Sequence, residues 1–308
     1  MTDEAVESAR RALSGLAVPD VPLGPMTTYR VGGRAALFVE IGSERDLERV
    51  CRAVSASGVP VLVVGKGSNL LVADAGFGGL AVRLGDRFAT VEVEGETALA
   101  GAAAAYPVLA RRTSAAGLSG MEWAVGIPGS VGGAVRMNAG GHGAETKDRL
   151  LRARVVDLFE ASAEPRWRSR EELEFSYRRS SIGPGELVLQ ASYALEPGDP
   201  TAGAARISEI VRWRRENQPG GQNAGSVFTN PPGDSAGRLI DAAGLKGMRI
   251  GSAAVSDKHA NFIQADAGGS ADDVRRVIEA VRQAVLERTG VELAVEVRLI
   301  GAGRVAAG

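Results

Sequence analysis

Trp123-Ala-Val-Gly126-Ile-Pro128-Gly129-Ser130-Val-Gly132-Gly133-Ala-Val-Arg136-Met-Asn138-Ala-Gly140 is the stretch on which the reading of this chain turns. With Gly141 and Gly143 it places seven glycines in 18 residues, too dense for a helix interior, where each glycine costs about 1 kcal/mol relative to alanine. Trp123, Ile127, Val131, Val135 and Met137 are interleaved with them, which argues against a flexible linker. A backbone without Cβ atoms can approach a ligand closely. The stretch therefore reads as main chain folded over a flat, phosphorylated cofactor.

Upstream, Val63-Val-Gly65-Lys-Gly67-Ser-Asn69-Leu-Leu carries a second glycine turn. Glycines directly after a strand let backbone N–H groups reach an anion such as a pyrophosphate, and Ser68 and Asn69 add side-chain donors. The spacing is neither G-x-G-x-x-G nor a Walker A loop, so by itself the motif is equally a plain tight turn. Its setting is more informative. Residues 35–41 predict a strand, Ser43 opens a capping pattern before an amphipathic helix to about Ser57, and residues 59–64 predict another strand. Strand, helix, strand and glycine turn together indicate an α/β protein.

Elsewhere, residues 3–15 predict a short helix and residues 18–26, with three prolines, an extended lead-in. Strands are expected near 80–84, 90–94, 151–158 and 187–194, and a helix over 106–116. Glu196-Pro-Gly-Asp-Pro-Thr-Ala-Gly203 breaks the pattern and marks a domain boundary. The expected division is a lead-in over 1–20, a cofactor domain over 21–198 with halves at about 21–85 and 86–198, and a smaller domain over 199–308. Beyond the boundary come a basic helix over 204–216 and a helix from the Ser270-Ala-Asp-Asp273 capping box to Thr289, stopped by Gly290. From Val291 the residues alternate, with Val291, Leu293, Val295, Val297 and Leu299 on one face, as in a strand.

Composition narrows the function classes. The 308 residues carry a net charge of −1, giving no electrostatic footprint for nucleic acid or an anionic membrane. The single Cys51 excludes an internal disulfide and, within an amphipathic helix, reads as a buried structural thiol. Two histidines far apart, His142 and His259, give no metal-ligand spacing, so no metal site is expected. The first 12 residues are charged without an apolar h-region, and no apolar run reaches about 18 residues. A cytoplasmic, monomeric protein that acts on small molecules is expected.

Three further segments carry reactive groups. Phe175-Ser-Tyr177-Arg178-Arg179-Ser180 sets aromatics beside arginines, a pattern equally suited to a surface edge strand. Asn223-Ala-Gly225-Ser226-Val-Phe228-Thr-Asn230-Pro231 holds a serine in a turn, without the G-x-S-x-G elbow of a hydrolase nucleophile. Glu296 lies on the polar face of the last alternating segment.

Together and in this order, these segments resemble the UDP-N-acetylenolpyruvoylglucosamine reductase family over about residues 27–301. Thr28-Tyr-Arg-Val-Gly-Gly33 is similar to its opening motif. The resemblance implies FAD-binding loops at Gly65, Lys66, Gly67, Ser68, Asn69 and Leu70, and at Gly126, Ile127, Pro128, Gly129, Ser130, Gly132 and Gly133, with Asn138, Ala139 and Gly140 beside them. It implies catalytic roles for Arg178, Ser226 and Glu296, and substrate contacts at Tyr177, Arg214, Asn230, Lys258 and His259. It implies non-covalent FAD, NADPH as co-substrate, and an α/β (α+β) fold. That fold has an FAD-binding domain pair of the p-cresol-methylhydroxylase/vanillyl-alcohol-oxidase type and a smaller C-terminal α/β substrate domain. The implied reaction reduces the enolpyruvyl ether of a UDP-sugar in peptidoglycan synthesis. Lys66 stands where the family often has a small residue, and Thr229 where it often has Lys or Arg. The 178–226 interval is short, which implies the subtype lacking an extra tyrosine-bearing lobe. An alcohol or sugar-acid oxidase on the same scaffold, with His142 as the only flavin tether available, and a non-catalytic flavin protein remain the alternatives.

Overall fold

Ser43 adopts extended backbone, φ −153°, and its side chain accepts from the Asp46 amide, capping the helix Glu44–Ser57. Glu44 and Asp46 occupy the first turn, where the helix dipole favours negative charge. Leu47, Val50, Cys51 and Val54 recur at helical spacing and are buried. Burial pushes the Cys51 thiol up to about 11, as suits an inert structural cysteine. This computed structural model describes residues 2–301.

The chain forms two compact units that alternate along the sequence. One holds the N-terminal segment to Pro19, Ala36–Lys66 and Gly78–Arg214; the other holds Asp20–Ala35, Gly67–Phe77 and the chain from Arg215. These units differ from the serial division at 20, 85 and 198. The reason is pairing: strand Leu70–Val72 runs parallel to strand Arg298–Ile300, and Tyr29, Val31 and Leu71 lie in one core with Phe228, Ile240 and Val281.

In the first unit, a four-stranded sheet has the order Val18–Pro22, Arg34–Ile41, Phe77–Leu84, Val61–Val63. A five-stranded antiparallel sheet has the order Arg166–Ser169, Leu150–Asp157, Glu186–Ala194, Thr97–Gly101, Val91–Glu94. Its two central strands bury both faces. Val155, Val188 and Ala191 enter one core, and Val156, Leu187 and Leu189 enter another. Between Arg178 and Ser226 the elements are strands Glu186–Ala194 and Glu196–Pro197 and helix Pro200–Asn217.

The second unit contains a three-stranded antiparallel sheet, Arg249–Ile250, Ala253–Val255 and Ile263–Ala265. Helix Ala271–Thr289 is capped by Ser270 and ends at Gly290 in the left-handed region, φ +72°. Asp74 adds a cap from far away in sequence: its carboxylate accepts the Ala271 amide at 3.0 Å and the Asp272 amide at 3.2 Å.

Two expectations are corrected. Residues 291–299 do not form one strand; only Arg298–Ile300 does, and Val295 makes an isolated bridge to Phe228. The Glu296 and Val297 amides both donate to the Val227 carbonyl, which breaks the regular ladder. The glycine-dense stretch does contain a helix, Val131–Arg136, through Gly132 and Gly133. The Ser130 side chain accepts the Gly133 amide and starts it, and burial of Val131, Ala134 and Val135 stabilises it. Among the described residues, no helix is long and apolar enough to cross a membrane.

Candidate active site

The loop from Gly65 to Asn69 presents unused donors. Among the described residues, none of its five consecutive amides donates to a protein acceptor. Gly65 and Lys66 are exposed. Gly67 sits at φ +64°, and a Cβ there would run into the Met26 carbonyl. A chain of unpartnered amides is what a pyrophosphate needs, so this loop fits an FAD phosphate group. The Asn69 Nδ2 donates to the Glu296 carbonyl at 3.1 Å, and the Asn69 carbonyl accepts the Arg298 amide at 3.0 Å. Its side chain thus holds the Glu296 segment. Leu70 begins the strand that pairs with Arg298.

The second glycine stretch is satisfied internally only in part. The Ile127 amide donates to Ala124, the Gly129 carbonyl accepts from Tyr106, and the Val131 and Gly132 amides donate to Ala104 and Ala102. Pro128 has no N–H to place. Ser130 caps a helix. Ala139 is held at both ends, its amide on Ala134 and its carbonyl under Thr146. What this stretch offers a cofactor is backbone shape rather than side-chain donors. Asn138 has its side chain engaged within the protein. It is fully buried at φ +40°, its Nδ2 donates to Glu145 at 3.1 Å and to the Ser176 carbonyl at 2.9 Å, and its Oδ1 accepts the Lys147 amide. With both amide hydrogens engaged, its side chain braces the protein.

Arg178 sits in the same unit on a turn closed by paired hydrogen bonds between Ser176 and Arg179. Its φ of +57° is rare for a residue with a side chain. Nη2 donates to the Gly140 carbonyl at 3.1 Å, and Nη1 lies 3.5 Å from Glu145 Oε1. The guanidinium also lies over the half-exposed Tyr177 ring, 4.8 Å from its centroid. Glu145 was not anticipated from sequence; it stood in the charged run Glu145-Thr-Lys147-Asp148 with nothing local to single it out.

In the second unit, Gly225 turns the chain at φ +76°, and its amide donates to Asn223 Oδ1 at 3.0 Å. Ser226 follows directly. The next residue, Val227, accepts from the Glu296 amide at 2.8 Å, so Ser226 and Glu296 stand on adjacent, hydrogen-bonded segments. Asn261 locks that pairing by accepting from the Phe228 amide at 3.0 Å and donating to its carbonyl at 2.8 Å. The Thr229 amide donates to the Ala294 carbonyl at 3.0 Å, and the Thr229 hydroxyl donates to the same carbonyl at 3.4 Å.

The remaining expected residues divide. Arg214 is partly buried, and desolvation lowers its pKa. Asn230 accepts the Ala236 amide at 3.1 Å. Lys258 Nζ donates to the Arg215 carbonyl at 2.6 Å, and His259 Nδ1 accepts the Asn261 amide at 3.2 Å. Burial, and then the nearby Lys246 charge, pull the His259 pKa down. Lys258 and His259 are thus tied into the protein. His142 packs edge-on against Trp213, with centroids 5.2 Å apart.

Comparison with known proteins points to one family. Residues 35–158 match the model of the FAD binding domain, and residues 217–300 match that of the UDP-N-acetylenolpyruvoylglucosamine reductase C-terminal domain. Together they describe a mixed α/β chain with a flavin domain and a reductase domain. The reductase of Rubrobacter xylanophilus is 46% identical over 285 residues, covering 92% of this chain and 94% of that relative. The reductase of Paramagnetospirillum magneticum is 44% identical over 286 residues, covering 92% of each. The crystal structure of the Thermus caldophilus reductase superposes with a TM-score of 0.80 at 36% identity, covering 92% of this chain and 98% of that one. With identities this high over nearly the full length of its relatives, the chain belongs to the UDP-N-acetylenolpyruvoylglucosamine reductase family.

Proposed function

We propose that Arg178, Ser226 and Glu296 carry out, in this chain, the reduction of the enolpyruvyl ether of UDP-N-acetylenolpyruvoylglucosamine to the lactyl ether of UDP-N-acetylmuramic acid. The chain is an FAD-dependent oxidoreductase of peptidoglycan synthesis that consumes NADPH and acts on small-molecule substrates. The strongest support for the residue assignment is the direct pairing of the Ser226 and Glu296 segments through Val227.

FAD held by the two glycine stretches would supply hydride equivalents from NADPH to C3 of the enolpyruvyl group. The Gly65–Asn69 amides would hold its pyrophosphate, and the backbone of Gly126–Gly133 and Ala139–Gly140 would lie along the rest. Addition at C3 leaves negative charge at C2, shared with the adjacent carboxylate. Arg178 stabilises that charge, since its planar fork matches a carboxylate. Ser226 delivers the proton to C2. A hydroxyl is a weak acid, so it acts because the carbanion is strongly basic and the turn fixes its position. Glu296 polarises the same intermediate. Arg214 contacts the sugar-nucleotide pyrophosphate in this reading, where an anion would offset the burial that disfavours its charge. Tyr177 and Asn230 line the substrate.

The short 178–226 interval assigns the chain to the subtype without the extra lobe. We place it in the cytoplasm as a monomer, which light scattering tests directly. The activity is tested by anaerobic stopped-flow on the holoprotein: NADPH bleaches the flavin band and the enolpyruvyl UDP-sugar restores it. Flavin that stays bleached with that substrate would refute the reading.

A further inference from the structure

The Arg178 turn is clamped onto the glycine-dense stretch at several points. Ser180 Oγ donates to the Arg136 carbonyl at 2.8 Å, Asn138 donates to the Ser176 carbonyl, and Arg178 itself donates to Gly140. Glu145 is where these contacts converge. Its Oε1 faces Arg178 Nη1 at 3.5 Å, while its Oε2 accepts from Asn138 at 3.1 Å and pairs with Lys147 at 2.9 Å. Its backbone is fixed as well, the amide donating to Asp148 Oδ2 at 2.7 Å. We propose that Glu145 is a positioning residue that sets the plane of the Arg178 guanidinium for the substrate carboxylate. The proposal rests on the assignment of Arg178 above.

The geometry suits orientation rather than capture. The Asn138 hydrogen bond and the tighter ion pair of Glu145 fall on Oε2, and its side chain also accepts the Asp148 amide. On Oε1 the pair is loose, so Glu145 aims the guanidinium without closing a tight fork that would exclude a second carboxylate. The Gly140 carbonyl fixes the other terminal nitrogen. Two such contacts define the plane of a group that otherwise samples many rotamers, and placement errors near 1 Å cost about a hundredfold in rate.

The test is Glu145→Gln in the FAD-loaded enzyme, with both half-reactions followed. Bleaching by NADPH should stay within about threefold of wild type. Reoxidation by the enolpyruvyl UDP-sugar should slow by roughly 10- to 100-fold, with weaker substrate binding in a flavin-absorbance titration. Arg178→Ala is run in parallel, and the double variant should be no slower than Arg178→Ala alone, since a positioner then has nothing to position. Glu145→Asp, which keeps the charge but draws it back from Arg178, should give a milder form of the same split. It decides the matter if Glu145→Gln fails to retain flavin. Normal reoxidation in Glu145→Gln, equal slowing of both half-reactions, or a double variant with multiplied losses overturns the positioning role. Normal reoxidation in Arg178→Ala overturns the Arg178 assignment itself, and the inference with it.

Discussion

Ser226 leaves a turn with little conformational freedom, because Asn223 holds the Gly225 amide on one side and the Val227 carbonyl is bonded to Glu296 on the other. Removing its hydroxyl should leave the backbone in place and delete only the proton donor. Ser226→Ala is expected to keep flavin reduction by NADPH within about twofold. It should slow substrate-driven reoxidation at least about a hundredfold in single-turnover measurements. A variant slowed equally in both halves would show that the serine is structural. At this scale the order of motifs singles out Arg178, Ser226 and Glu296 as candidates. The contacts of Asn138 and Asn69 were not legible, because their partners Ser176 and Glu296 lie 38 and 227 residues away. A polar residue beside glycines looks the same in sequence whether it faces ligand or protein.

Helix Ala271–Thr289 shows the same limit for an element. Ser270 announced its start, but Asp74 contributes as much to that terminus from 196 residues away. Asp74→Ala should destabilise the protein by about 1–2 kcal/mol, seen as a Tm lower by a few degrees; an unchanged Tm would mean that Ser270 caps the helix alone. Asp273, in the first turn, accepts the Ser252 amide at 2.7 Å and hydroxyl at 2.8 Å and pairs with Arg276. These hydrogen bonds lower its pKa from 3.8 to about 2. A carboxylate depressed on folding stabilises fully above its unfolded value and loses that contribution as pH falls through the folded one. Urea titrations should therefore find Asp273→Asn less stable than wild type at pH 6, with the gap narrowing below about pH 4. A gap constant from pH 6 to 3 would contradict this. The alternating segment 291–299 was misread because alternation reports which side chains are buried, and burial at Leu293 and Val297 does not require a regular ladder.

The unit that carries Ser226 and Glu296 is assembled from three separate pieces of chain. Sequence punctuation at 196–203 suggested a serial boundary, since local breakers cannot show that Leu70–Val72 belongs beside Arg298–Ile300. A fragment beginning at residue 215 would lack that strand, and Tyr29, Val31 and Leu71 would be missing from its core. Such a fragment should show no cooperative thermal transition by circular dichroism, whereas the whole chain should show one. A sharp transition in the fragment would mean that the early segments are dispensable.

The bond between Asn69 and Glu296 also has a bearing on synthesis. At about 5–20 residues per second, the 227 residues that separate them take a ribosome roughly 10 to 45 seconds to add. Throughout that interval Leu70–Val72 has emerged while its partner strand does not yet exist, leaving an apolar edge to be shielded by chaperones or by the nascent chain itself. The N-terminal half of this enzyme is therefore born waiting for its last strand, and stalled translation would strand it with that edge uncovered.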